Sequence, residues 1–223
     1  MPVRRIGGLA RAIVILTAIS VLGALVVALL TPNAADRARE FLGGELTEDE
    51  FLEGYAAIAV AQFAQGVATL ATAVLTMIWM YRIAANVRGL GRQTTWAPLF
   101  AVFGWVLPPV LVVIPFLMLR ELWKASEPFH AVGSDDWRRP PDNPTLWVWF
   151  LLYGVLQTVL LFLQSSALVG SGFSSDTESL AESIDDSVAV SVIGSVGVAA
   201  AGVAWILVVR QLTAKHRAVT RER

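Results

Sequence analysis

Apolar and polar residues along this chain come in long blocks rather than in alternation. Residues 12–30 are an uncharged run of 19; as a helix it reaches about 28 Å, close to the thickness of a bilayer's hydrocarbon core. Residues 55–81 form a second run, and 145–169 and 188–209 a third and a fourth. Each is long enough to cross a membrane as a helix. A fifth apolar segment, 97–119, differs from the others. It carries Gly104, Pro108, Pro109 and Pro115, and interior prolines remove backbone donors and crowd the preceding turn.

The connectors between these runs have turn and cap chemistry. Residues 31–54 are acidic; Pro32 at a first helical position, with Gly43-Gly44 after it, predicts a short surface helix. Thr47-Glu48-Asp49-Glu50 has the spacing of a capping box, so a helix should start there and continue into the run 55–81. Gly89 and Gly91 should stop it. Pro140-Pro141-Asp142-Asn143-Pro144 reads as a stiff extended connector. Ser175-Asp176-Thr177-Glu178 repeats the capping-box spacing ahead of the last run.

Composition agrees with a membrane chain: 56% of the 223 residues are hydrophobic and 16% charged, where soluble domains sit nearer a quarter charged. The basic start and first apolar run resemble a secretory signal. That run is of spanning length, however, and Thr31-Pro32-Asn33 is a poor cleavage context, so a retained span is expected. With no cysteine, disulfides and thiolate metal sites are excluded, and His130 and His216 have no partner at helical spacing for a zinc site.

Charge is partitioned. Regions 1–11, 82–96, 120–144 and 210–223 hold 15 of the 17 Lys and Arg residues, whereas 170–187 holds none. Basic loops stay in the cytoplasm. This places both termini inside a bacterial plasma membrane and 31–54 and 170–187 outside. Regions 82–96 and 170–187 then lie on opposite sides with two apolar segments between them, so one of the two must enter and return. The prolines select 97–119. The fold expected is an all-α membrane protein in a single domain, with four transmembrane helices plus a proline-broken re-entrant hairpin turning near Leu107–Pro109. The alternative is five transmembrane helices with a kink.

The residues Arg82, Asn86-Val87-Arg88-Gly89-Leu90-Gly91, Trp96-Ala97-Pro98, Gly104-Trp105, Pro108, Pro115 and the closing Met118-Leu119-Arg120-Glu121-Leu122-Trp123-Lys124-Ala125-Ser126 carry a likeness. Together they resemble bacterial membrane proteins grouped as domain of unknown function 4328, over roughly residues 55–210. The resemblance supports the topology and marks Trp105, Pro108, Pro109, Pro115, Glu121, Trp123 and Ser126 as motif positions. It supplies no chemistry. Ile114-Pro115-Phe116 is wholly apolar where the family commonly has a polar or basic residue and a Tyr.

Candidate chemistry is sparse. Arg82 and Asn86 share a helix face, as do Arg120 and Lys124. With Arg88 they form a candidate site for an anionic headgroup or phosphorylated ligand; the plainer reading makes them snorkelling anchors with a structural Asn. Glu121 reads as an ion-pair partner of neighbouring Arg120 or Lys124. Trp123, Trp137, Trp147 and Trp149 read as interface anchors. Gln62, Gln65, Gln157 and Gln164 should hydrogen-bond between helices, and the small residues Ser187, Ser191, Ser195, Ala199, Gly194, Gly197 and Gly202 should pack helices closely or form a homo-oligomer seam. No catalytic grouping, phosphate loop, metal cluster or cofactor motif is legible, and the basic clusters lack the soluble context of nucleic-acid binding. The preferred function is a non-enzymatic scaffold or accessory protein binding membrane lipids or a membrane protein partner at the cytoplasmic face. A small transporter or channel-like unit, and a membrane enzyme acting on a lipid headgroup, are the alternatives.

Overall fold

A computed structural model describes residues 3–105, 112–128, 135–160, 162 and 176–222. Every regular element among them is helical: α1 Gly7–Leu42, α2 Glu48–Gly89, α3 Phe100–Phe103, α4 Val113–Ala125, α5 Pro144–Trp149, α6 Thr177–Asp186 and α7 Val188–Thr220. A 3-10 turn, Asp135–Arg138, precedes α5, and α5 runs on as a π-helical stretch, Phe150–Leu156. Three helices, α1, α2 and α7, are long and apolar enough to cross a membrane, and Pro144–Leu160 is a shorter apolar helix. The far part of the expected third span, beyond residue 162, lies outside the described residues, as do Pro108, Pro109, His130 and Gln164.

The caps explain where these helices begin and end. Thr47 accepts from the Glu50 backbone N–H at 3.4 Å, and the Glu50 carboxylate takes the Thr47 N–H at 2.9 Å, closing the capping box that opens α2. Gly91, at φ +77°, takes the left-handed turn that ends it. Asp176, not Ser175, is the N-cap of α6; its carboxylate accepts from the Ser179 N–H. No short surface helix starts at Pro32. Instead α1 runs straight through that residue to Leu42. An interior proline costs a helix about 3 kcal/mol in isolation, but this stretch is held by packing: Thr31, Ala34, Ala35 and Ala38 are all buried.

Outward faces have the spacing a lipid-facing helix needs. Val60, Phe63, Val67, Leu70, Val74 and Ile78 of α2 are exposed, as are Ile15, Ile19, Leu22, Val26 and Leu29 of α1. Each set recurs every three or four residues, one stripe of a 3.6-residue helix. Glycines set the inner contacts. A Cβ on Gly202 of α7 would meet Val21 Cγ2 of α1 at 2.5 Å, and one on Gly197 would meet Leu156 Cδ2 at 2.8 Å. Both glycines are therefore used inside the protomer, letting backbones approach.

The two described parts of segment 97–119 lie against each other. Arg92 donates to the Ala125 carbonyl, Thr95 N–H to Glu121 at 2.6 Å, and a Cβ on Gly104 would touch Ile114 at 2.8 Å. These three pairs nest about one centre near residue 108, inside the stretch 106–111 that is not described. Chain entry and exit are thus side by side.

The nested pairs fix the ends of the bundle. Asn86 at the end of α2 touches Arg4, Ser126 after α4 touches His216 of α7, and Asn143 before α5 touches Gln211 at 2.6 Å. All of these lie at one end. At the other, Arg39 pairs with Asp185 at 2.6 Å and Thr177 bonds Glu48. The main core cluster belongs to the first end, where Ile83, Leu119, Leu122, Trp137, Val209 and Leu212 are all buried. Trp137 and Trp149 are 1% and 3% exposed. They are core residues rather than interface anchors, because α4, α5 and α7 converge on them; Trp149 packs on Trp105 and Trp205, at 6.3 and 4.9 Å between ring centres.

Candidate functional site

At the basic end, four separate parts of the chain meet on two polar side chains. Asn86 donates through Nδ2 to the Arg4 carbonyl and accepts the Arg4 N–H at Oδ1, both at 2.9 Å. This double bond fixes which way the amide points, since a backbone N–H meets only an acceptor and a carbonyl only a donor. The second Nδ2 hydrogen then faces His216 Nε2 at 3.2 Å. Nε2 must accept, so Nδ1 carries the proton and donates to Ser126 Oγ at 3.0 Å. Ser126 and His216 are fully buried and Asn86 is 6% exposed.

The residue types are those of a nucleophilic triad, with the bonds running the other way. A catalytic histidine takes a proton from serine through a free lone pair. Here that lone pair is occupied by an amide N–H and the histidine donates to the serine. The string is built to hold α2, α4, α7 and the N-terminal arm together. Sequence spacing gave no sign of it, because its members are 40 and 90 residues apart.

The anion-site candidates are distributed over this end, and each has a protein partner. Arg82 donates to the Arg5 carbonyl at 2.8 Å, so with Asn86 it fastens the N-terminal arm. Arg88 donates to Thr94 Oγ1 and to its carbonyl, both at 3.2 Å, shaping the loop after α2. Arg120 and Lys124 do share a face, and Asp142 of the proline connector lies between them. Arg120 Nε donates to Asp142 Oδ2 at 2.9 Å, and Lys124 Nζ is 3.2 Å from Oδ1. Burial pushes the Asp142 carboxyl up, but the two cations outweigh it and hold it below the usual carboxylate range. The Arg120 guanidinium also lies over the Phe116 and Trp147 rings, at 5.5 and 5.2 Å.

Glu121 does not pair with Arg120 or Lys124. It accepts the Thr95 and Trp96 N–H groups at 2.6 and 3.3 Å and lies 3.9 Å from Arg138. On a helix, adjacent residues point about 100° apart, which turns Glu121 toward the incoming strand of the hairpin. A recess of about 270 Å³ opens among Trp96, Arg120, Glu121, Lys124, Arg138 and Asp142. Three cations and two carboxylates border it. Trp123 lies under Lys215, whose Nζ is 4.1 Å from the ring centre. Among the described residues, no three His, Cys, Asp or Glu side chains group as metal ligands.

The sequence of residues 44–214 matches the family model for the domain of unknown function DUF4328. The chain belongs to this family. The DUF4328 match takes in α2 through most of α7, including Asn86, Ser126 and the hairpin contacts, while His216 lies just past its end and Arg4 well before its start. No curated protein and no solved structure matches the chain. The DUF4328 description carries no activity, and the chain's candidate spans mark a membrane protein.

Proposed function

We propose that this is a non-enzymatic multipass protein of the bacterial plasma membrane, with both termini cytoplasmic, whose basic end receives anionic lipid headgroups. The observation that carries the reading is the recess beside α4, where Arg120 and Lys124 stand with aromatic rings at the end of the bundle that gathers nearly all the basic residues. Guanidinium and ammonium groups at headgroup depth attract phosphate, and aromatic rings suit the same layer. Asp142 engages both cations until a phosphate competes for them.

In this reading the long helices and the chain from Asn143 to α6 supply four crossings, and 97–119 is a re-entrant hairpin. Its adjacent ends, and the Ser126–His216 bond beyond it, support entry and exit on one side. The donating direction of His216 toward Ser126 supports a structural rather than a hydrolytic role. Native mass spectrometry of protein released from mixed nanodiscs tests the lipid assignment. Phosphatidylglycerol should be retained over phosphatidylcholine, and Arg120→Gln with Lys124→Gln should remove the preference; equal retention of both lipids overturns it. The chain has no cysteine, so single cysteines at Asp136 and Glu182 test the topology. Only the second should react with an impermeant maleimide in intact cells.

A further inference from the structure

The opposite end of the bundle contains a different kind of site. A cavity of about 240 Å³ lies between α1, α2, Gln157 just past the π-helical stretch, the end of α6 and the start of α7. Thr31, Gln62, Gln65, Gln157, Ser191 and Ser195 supply its polar lining. No Asp, Glu, Lys or Arg is among the described residues that line it. From Ser187 at its mouth to Ser195 the α7 wall spans two turns, so it reaches about 12 Å into the helices.

Several of its oxygens are uncommitted. Gln157 spends its amide N–H on the Gly194 carbonyl at 3.4 Å, leaving Oε1. The Gln65 side chain and the Ser195 hydroxyl make no hydrogen bond among the described residues. Amides and hydroxyls at this depth, beside lipid-facing helices, are costly to leave unpaired. They call for water or a polar ligand.

The surroundings select the ligand's charge. Segments 31–54 and 176–187 converge at this mouth and carry twelve acids against two arginines. Both arginines are occupied: Arg39 pairs with Asp36 and Asp185, and Arg37 donates to the Glu50 carbonyl at 2.6 Å. A rim of one sign with low-dielectric walls concentrates the opposite sign at its centre. Beyond the rim a cation meets only neutral oxygens. The geometry points to a binding site for a small organic cation bearing a primary ammonium group, entered from the acidic end. An ammonium offers three donors and accepts none, which suits a lining of amide and hydroxyl oxygens. The cavity is smaller than the roughly 300–1,000 Å³ of drug-sized sites, so the ligand is a small amine.

Three probes of nearly equal size isolate the charge: ethanolamine, ethylene glycol and glycolate, at pH 7. Binding to the full chain in nanodiscs is read by saturation-transfer NMR and calorimetry. Ethanolamine should bind saturably, about tenfold or more tighter than the neutral diol, and glycolate should not bind. Raising salt should weaken it. Ser191→Trp, which fills the cavity, should abolish binding. Gln65→Leu removes an amide without a partner among the described residues and should weaken binding several-fold while leaving the unfolding temperature unchanged, so the test survives even if Ser191→Trp fails to fold. Equal affinity for the three probes, no saturable binding, or binding untouched by Gln65→Leu would overturn the site. None of these variants alters the basic end, so failure here leaves the lipid reading standing.

Discussion

Asn86 and the Arg4 peptide exchange two hydrogen bonds of 2.9 Å, and this one amide ties the N-terminal arm to the end of α2. Removing it leaves His216 Nε2 without a partner in a buried place, and the Arg4 N–H and carbonyl without theirs in a partly buried one. Each such group costs about 1–3 kcal/mol. Asn86→Ala should therefore destabilise the protein by about 3 kcal/mol, read as a large drop in unfolding temperature in detergent. Asn86→Asp should be no better, because a carboxylate sets an oxygen against the Arg4 carbonyl that the amide N–H now meets. Arg82→Gln, on the same face but exposed, should change stability by only about 0.5 kcal/mol.

Ser126 provides the discriminating test for catalysis. As an acceptor for His216 Nδ1–H it is a structural hydroxyl. Ser126→Ala should cost about 1–2 kcal/mol of stability, and intact protein should resist a fluorophosphonate probe. Labelling at Ser126 would show that the hydroxyl is both reachable and activated, and would end the structural reading.

Two glycines should respond in opposite directions. Any side chain on Gly202 meets Val21 at 2.5 Å, so Gly202→Leu should force α1 and α7 apart and lower the unfolding temperature sharply. Gly66 of α2 has open space around its missing Cβ. Gly66→Ala should raise stability by about 0.5–1 kcal/mol through helix propensity alone. Comparing their thermal unfolding in one detergent separates packing from backbone effects.

Acid should loosen the basic end through Asp142. Its carboxyl is held below the usual range, which is about 3.9 unfolded. The stabilisation is fully present above that value and is lost as pH falls through the lower, folded pKa. Unfolding temperature should thus be insensitive to this group from pH 7 down to about 4 and fall below it. Asp142→Asn should remove that part of the acid response. It should also release Arg120 and Lys124, so the variant should retain more phosphatidylglycerol than the parent chain.

Much of the architecture could be read from the residues, for physical reasons that apply locally. The box at Thr47, the stop at Gly89 to Gly91 and the apolar runs depend on neighbours in sequence. For 97–119, charge partition and prolines singled out the segment, and its two described flanks lie against each other, while the expected turn falls outside the described residues. What stayed hidden depends on contacts at long range. Pro32 looked like a helix start since nothing local shows that Ala34, Ala35 and Ala38 are buried against other helices. Trp137 looked like a surface anchor for the same reason. Asp142 seemed part of a spacer until the fold set it between Arg120 and Lys124. The Ser126–His216–Asn86 string had no signal, as its members share neither a helix nor a motif.

Glu222 sits on the first turn of α1, where its carboxylate accepts the Ile6 and Gly7 N–H groups at 3.1 Å. A ribosome makes those amides some two hundred residues before it makes the acid that quiets them. Until residue 222 is made, then, the tip of α1 keeps unmet amide donors and a partial positive charge. The Glu222 contact can therefore close only after the helices between it and α1 have been made.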